Sequence, residues 1–332
     1  SNFKTFFVWK QFNEICKLDN LSKPRKIKII STLKNIAERY ILKDFDKADK
    51  EDIKRFVLQL DSKEDYSPWT RHSYKVIFKK FYKWLIFGDS YKEKDFPEIV
   101  SWIKTTIKQK EQPRVQASDI LTENEIKALI KVATRPRDKA FISMLYELGA
   151  RIGEIGGLRI KDVTRDKYSY IIDLSGKTGH RTPRIVMSDP YLTNWVNTHP
   201  YSNNPDAPLW ILTQTGEKME YRAFRALLLR LKEKAKIKKR VYPHLFRHSR
   251  VTHLLINKQV SEAQAKVYFG WVPSSNMFSE YSHLISKDVN DTILEIYGIV
   301  KKDHTESELK LKQCPRCNLI NPKDALFCYK CS

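Results

Sequence analysis

Pro243-His244-Leu245-Phe246-Arg247-His248-Ser249 is the stretch on which the reading of this chain turns. His244 and Arg247 are three residues apart and share one helix face. His244 and His248, four apart, could also suggest a metal pair. A zincin helix, however, needs Glu directly after the first His, and Leu245 stands there. Upstream lies Leu148-Gly149-Ala150-Arg151-Ile152-Gly153-Glu154-Ile155, an arginine that follows a Gly break and opens a helical segment, with an acid three residues on. Between the two, Lys177 sits in the turn Ser175-Gly176-Lys177-Thr178-Gly179. Downstream comes Phe269-Gly270-Trp271, and ten residues past Trp271 stands Tyr281, in Ser279-Glu280-Tyr281-Ser282-His283. Taken singly, each element is weak. Arginines of this kind are mostly surface ion-pair members, turn lysines are mostly solvated, and lone tyrosines mostly pack.

The chain around these motifs has 332 residues, which suggests about two domains. Its formal charge is +22, with +10 in residues 1–110, +9 in 111–300 and +3 in 301–332. An excess spread over every segment most simply faces a polyanion, nucleic acid first, although plain solubility also produces a basic pI. A hydrophobic content of 41% excludes wholesale disorder. No run approaches 18 apolar residues, so no membrane span is expected. Residues 1–10 lack a basic stretch followed by an apolar one, so no signal peptide is expected. A cytoplasmic, nucleoid-associated protein is the expectation.

Apolar residues recur at helical spacing through much of the chain. Phe3, Phe6, Phe7, Trp9, Phe12, Ile15 and Leu18 make a first helix, and Cys16 beside them reads as a buried thiol. A break at Leu21-Ser22-Lys23-Pro24 leads to a second. A third begins near Lys50 and a fourth follows Ser67-Pro68. In the fourth, Arg71, Lys75, Lys79, Lys80 and Lys83 lie between the apolar positions and read as a row facing a DNA backbone. Residues 104–119 are polar and basic, contain Pro113 and read as a linker. Thr122 with Glu125 is a capping-box signature, and a further helix is expected over 137–148. The one clear β signal is a hairpin over 168–187, where Tyr168, Tyr170, Ile172 and Leu174 alternate. Helices resume near 220–236, 244–257 and 261–269. The division expected is 1–108, a helical DNA-binding domain; 109–119, a linker; 120–300, a catalytic domain; and 312–332, a cysteine-rich tail.

The ordered set of Arg, hairpin Lys, His-x-x-Arg, Gly-Trp and Tyr resembles the tyrosine recombinase (phage integrase) family. The resemblance runs nearly the whole way to residue 300 and includes the stretch Ser67-Pro68-Trp69-Thr70-Arg71-His72-Ser73-Tyr74, similar to that family's DNA-contacting helix. It departs in carrying Phe246 where Leu is usual and Trp271 where many members have His. An indole can donate to a phosphate but does not readily transfer a proton. The resemblance implies a mainly α protein: a four-helix core-binding (SAM-like) domain, then a mixed α+β catalytic domain with a small antiparallel sheet. No arm-binding domain is expected ahead of them.

It also implies a site-specific DNA recombinase or integrase that works through a 3′-phosphotyrosyl intermediate, with no cofactor for catalysis. The implied partner is a double-stranded DNA recombination site, bound as a homotetramer on paired sites. Arg151 and Arg247 would clamp the phosphate, Lys177 would be the general acid, and Trp271 would add a hydrogen bond. His244 would assist as base or phosphate donor, and Tyr281 would be the nucleophile. Glu154 would orient Arg151 or His248, and His180 is a lesser DNA-contact candidate. Residues 286–299 are expected to form an apolar helix that either docks on a neighbouring protomer, as such segments often do in the family, or packs on its own core. Alternatives are Xer-like chromosome or plasmid dimer resolution, a type IB topoisomerase, or a non-catalytic DNA-binding protein.

The tail reads Cys314-Pro315-Arg316-Cys317, ten residues, then Cys328-Tyr329-Lys330-Cys331. Two such knuckles can place four thiolates tetrahedrally around Zn²⁺. The spacing resembles the small zinc ribbons of archaeal proteins, and the closed thiolate set makes the expected zinc structural. The expected role is a targeting module dispensable for chemistry, with the alternative that it buttresses residues 286–299.

Overall fold

The computed structural model describes residues 2–107, 118–176, 179–256, 260–272, 274–275, 309, 311–329 and 331, with all side chains of these except 2–9 and 256. They belong to two compact units, Ser1–Pro113 and Arg114–Ser332.

The first unit is helical: α1 (Asn2–Leu18), α2 (Lys23–Arg39), α3 (Lys50–Asp61), α4 (Pro68–Phe87) and the single turn α5 (Glu98–Ser101). Three of these starts have a local cause. Pro24 lies in the first turn of α2, where a missing N–H is harmless. Asp49 accepts from the Glu51 and Asp52 N–H groups ahead of α3, and the Ser67 hydroxyl accepts from the Thr70 N–H ahead of α4. The core is aromatic: Phe12, Phe56, Phe78 and Phe81 are fully buried, with Cys16 beside them.

The basic row on α4 is mostly engaged within the unit. Arg71 donates to the Asp61 carbonyl, Lys75 to the Asp61 carboxylate and Lys80 to Asp19. Lys79 is turned inward and donates to the carbonyls of Ser101 and Ile103. It is therefore not a DNA-backbone contact. The carbonyls that follow α5 need donors, and the lysine stem is long enough to reach them through an apolar layer.

In the second unit α6 (Glu123–Val132) begins at the expected capping box of Thr122 and Glu125. Helix α7 (Pro136–Leu148) is the axis of the unit: every residue from Ala140 to Leu148 is buried, against α6 and two later helices, α9 (Asp189–Asn197) and α11 (Pro243–Ile256). The single turn α8 (Ile152–Ile155) follows it, and α10 (Tyr221–Lys234) and α12 (Glu262–Phe269) complete the helices. Phe141 stacks on Phe224 at 4.6 Å and meets Trp210 edge-on at 5.4 Å.

The expected hairpin within 168–187 forms, and a third strand joins it. β1 (Val163–Arg165) pairs with one edge of β2 (Tyr170–Ile172). β3 (Leu174–Gly176) pairs with β4 (Gly179–Arg181), and the Ile171–Arg184 bridge with the Ile172–Pro183 and Ile185–Tyr170 backbone hydrogen bonds carries that same register on along the other edge of β2. Tyr168 lies outside the strands and is exposed. β1 went unpredicted because three residues are too short to display an alternation. At the C-terminal end β5 (Leu311–Gln313) pairs with β6 (Ile320–Pro322), and β6 packs on α9, with Tyr329 6.4 Å from Tyr191. The expected segment 286–299 lies outside the described residues. No helix among those described is long and apolar enough to cross a membrane.

Candidate active site

Helix α7 ends at Gly149, so the chain turns out and Arg151 stands at the start of α8. Its guanidinium Nη1 donates to Glu154 Oε1 at 2.7 Å, and its backbone N–H donates to Glu154 Oε2 at 3.0 Å. Glu154 is buried and also accepts from Arg181 Nη2 at 2.9 Å. Burial alone would raise the Glu154 pKa, but the Arg151 hydrogen bond and the Arg181 charge outweigh it and hold the carboxyl below its ordinary value. Arg151, gripped twice by one carboxylate, keeps its side chain 36% exposed.

Arg247 comes from the second turn of α11 and is 1% exposed. Its Nη1 donates to the Gly149 carbonyl and its Nη2 to the Phe269 carbonyl, both at 2.7 Å. These two carbonyls precede Ala150-Arg151 and Gly270-Trp271, so one guanidinium ties three segments together. Its charge also lies over the rings of Phe269 and Trp271, at 5.4 and 5.7 Å.

His244 opens α11, one turn before Arg247, with its ring edge-on to His248 at 4.5 Å. Desolvation, then the charges of Arg247 and Arg151, lower its pKa from the ordinary imidazole value. His248 is buried, and desolvation, with His244 and Arg247 beside it, brings its pKa down to about 4. Both rings are therefore neutral near pH 7.

Arg151, His244, Arg247 and Trp271 are thus gathered at one place by three separate segments. Lys177 and Tyr281 lie outside the described residues. His180 pairs with Asp173 at 2.6 Å on an exposed edge of the hairpin. Sequence reading missed three groups. Arg181 shares Glu154. Glu147 accepts the N–H groups of Val186, Met187 and Ser188 ahead of α9. Arg250 and Tyr268 both donate to the Glu147 carbonyl. None had a local signal, because each partner is between 27 and 121 residues away in the chain.

The four cysteines of the tail also come together. All four sulfurs lie within 4.8 Å of one another, with Cys314 and Cys331 3.6 Å apart and Cys317 and Cys328 3.5 Å apart. Zinc at about 2.3 Å from each of four tetrahedral thiolates would set sulfurs roughly 3.8 Å apart, so the donor set fits that ion.

A mainly helical unit with small antiparallel sheets, gathering two arginines, a histidine and a tryptophan, has the catalytic fold of the tyrosine recombinases. The profile described as Phage integrase family matches residues 119–287, just over half of the chain, and the chain belongs to that family. Tyrosine recombinase XerA of Pyrococcus horikoshii is 26% identical over 204 residues, spanning 58% of this chain and 68% of the relative. XerA of Pyrococcus furiosus is 31% identical over 140 residues, spanning 41% of this chain and 47% of the relative. The chain therefore spans about two thirds and about half of the lengths of these two proteins. Among solved structures, the XerH site-specific recombinase bound to palindromic difH substrate, in its post-cleavage complex, superposes with a TM-score of 0.63 at 17% identity. That match covers 87% of this chain and 85% of the other and shows a shared fold.

Proposed function

We propose that this chain is a site-specific DNA recombinase that cuts and rejoins strands through a covalent tyrosine intermediate. The observation that carries the reading is the convergence of Arg151, His244, Arg247 and Trp271 from three distant segments. Two guanidiniums at one place suit a phosphodiester, because their planar forks match its non-bridging oxygens. The charge that grows on those oxygens in the transition state is met by donors already held in position by Glu154 and by backbone carbonyls.

The Tyr281 hydroxyl oxygen attacks phosphorus, forming the phosphotyrosyl bond as the bond to the 5′-oxygen breaks. Neutral His244 accepts the tyrosine proton or donates to a phosphate oxygen. Lys177 gives a proton to the departing 5′-oxygen. The reverse sequence, with a new 5′-hydroxyl attacking, rejoins the strand. The partner is a double-stranded DNA site, and exchange between two duplexes engages four protomers. Such a protein works at the nucleoid. Cys314, Cys317, Cys328 and Cys331 would hold a structural Zn²⁺; with all four positions filled by thiolate it supplies folding free energy and no chemistry.

The XerA relatives favour a second biological reading within the same chemistry, resolution of chromosome or plasmid dimers instead of integration of a mobile element. A cleaved site found once per replicon supports resolution, and sites found only at element ends support integration.

Tyr281→Phe tests the central claim. The variant is expected to keep its DNA affinity, which Arg and Lys contacts dominate, and to form no covalent adduct on a nicked substrate. An adduct mapped to Tyr268 or Tyr297 would overturn the assignment.

A further inference from the structure

The β3–β4 pair is the two-stranded far end of the hairpin, beyond the Ile171–Arg184 bridge that joins its base. A two-stranded ribbon is marginal by itself, so side-chain ties at this end help decide where its turn is held. Its outer face offers the exposed pair of His180 and Asp173, and exposed pairs contribute little. The inner face closes on the buried Glu154 carboxylate from both strands. Arg181, the last residue of β4, reaches Glu154 Oε2 at 2.9 Å, with the two side chains only 11% and 4% exposed. From the opposite strand, Gly176 approaches so closely that a Cβ there would lie 2.8 Å from Glu154 Oε1 and 2.9 Å from its Cγ. Only a residue without a side chain fits that position.

Arg181 also reaches a third segment. A Cβ at Gly270 would overlap Arg181 Nη1, so the guanidinium lies directly against the backbone that leads into Trp271. Its Nε is buried with no hydrogen-bond partner among the described residues, a cost that a replaceable surface arginine would not carry.

We propose that Arg181 is a positioning residue: it latches the β3–β4 hairpin, and with it Lys177 directly after Gly176, to the Glu154–Arg151 pair. The inference rests on the reading of Lys177 as general acid, since a latch on the hairpin matters most to the group the hairpin carries. Proton delivery to the 5′-oxygen depends on the ammonium being within hydrogen-bond reach of it. A released hairpin spreads that ammonium over many positions, while Arg247 stays anchored elsewhere, through the Gly149 and Phe269 carbonyls, and Arg151 keeps its own two hydrogen bonds to Glu154.

The experiment uses the full chain and the variants Arg181→Ala, Gly176→Ala and Lys177→Ala. Covalent adduct formation is timed on nicked substrates with oxygen or sulfur at the 5′-bridging position, and amide exchange is measured over residues 174–181. A sulfur leaving group needs little protonation. Arg181→Ala is expected to slow cleavage of the oxygen substrate by about tenfold or more, to keep DNA affinity within about twofold, and to recover most of its rate on sulfur, as Lys177→Ala does. Hairpin amides should exchange faster. Gly176→Ala, which pushes β3 off Glu154 without removing a charge, should give the same sulfur-rescued defect and keeps the test decisive if Arg181→Ala does not fold.

Unchanged hairpin exchange overturns the proposal. So do equal defects on oxygen and sulfur in Arg181→Ala when Lys177→Ala is rescued, because Arg181 would then act on the phosphate. If Lys177→Ala itself shows equal defects, the general-acid reading falls, and the exchange data alone decide whether the latch exists.

Discussion

Around α7 the second unit holds its functional groups by apolar packing; in the cysteine tail it has almost nothing to pack. Phe141, Tyr146, Phe246 and Trp210 are fully buried, and that core is deep enough to carry Arg247, Glu154 and His248 inside it with partners fixed. The tail buries Cys314, Leu319, Asn321 and Pro322 among the described residues and leaves Leu326 90% and Phe327 72% exposed. A large core can place charge in its interior because the surrounding side chains have no other arrangement of equal density. A twenty-residue ribbon has no such interior, so its geometry falls to the four sulfurs.

The sharpest way to break this contrast is to remove the metal the thiolates would hold. Chelation, or Cys314→Ser with Cys317→Ser, should unfold the ribbon, since zinc supplies about 10–16 kcal/mol to modules of this kind. One zinc per protomer should be lost by elemental analysis while the helical signal of the rest persists. Ending the chain near Lys302 separates the two roles open to the ribbon. If it only targets, nicked-site cleavage should stay within about threefold, less than the tenfold of 1.4 kcal/mol. Because β6 and Tyr329 rest on α9, loss of cleavage together with recombination would refute dispensability and make the ribbon part of the catalytic scaffold.

The opposite manipulation tests the core. Phe141→Ala removes a ring that stacks on Phe224 and meets Trp210, and should cost about 3–5 kcal/mol in denaturant unfolding of the second unit. A cost below about 1 kcal/mol would mean that the site rests on its polar ties instead.

The smallest effect concerns His248. Its folded pKa of about 4 lies below the 6.5 of an unperturbed imidazole. As pH falls through 6.5 the unfolded chain takes the proton first. Stability is therefore intact above about 6.5, declines between there and about 4, and levels off once the folded state also protonates. The span corresponds to about 3 kcal/mol. His248→Gln should flatten that part of the stability-versus-pH curve; an unchanged slope would place the proton uptake elsewhere.

Much of the site was legible because its signals are local. His244 and Arg247 share a face by spacing alone, Thr122 and Glu125 cap a helix by spacing alone, and two Cys-x-x-Cys knuckles mark out a four-cysteine cluster by spacing alone. Their convergence was carried by resemblance and by order along the chain, not by distance in space. Lys79 shows where local reading fails. Its place in a basic row is a fact of sequence, but its ammonium turns inward to carbonyls 22 and 24 residues away.

The sequence by itself determined most of the helices, though not α5 or α9, the breaks between them, the paired cysteines of the tail and the residue types available for phosphate chemistry. These follow from forces that act within a few residues: backbone hydrogen bonding, capping and the 3.6-residue period. Only the tertiary structure decided that Arg247 would bind the carbonyls before Arg151 and before Trp271. It alone decided that Glu154 would be shared with Arg181, and that β1 would join the expected hairpin as a third strand. Those outcomes depend on which distant surfaces fill one another's volume when the core closes, and no local pattern encodes that fit.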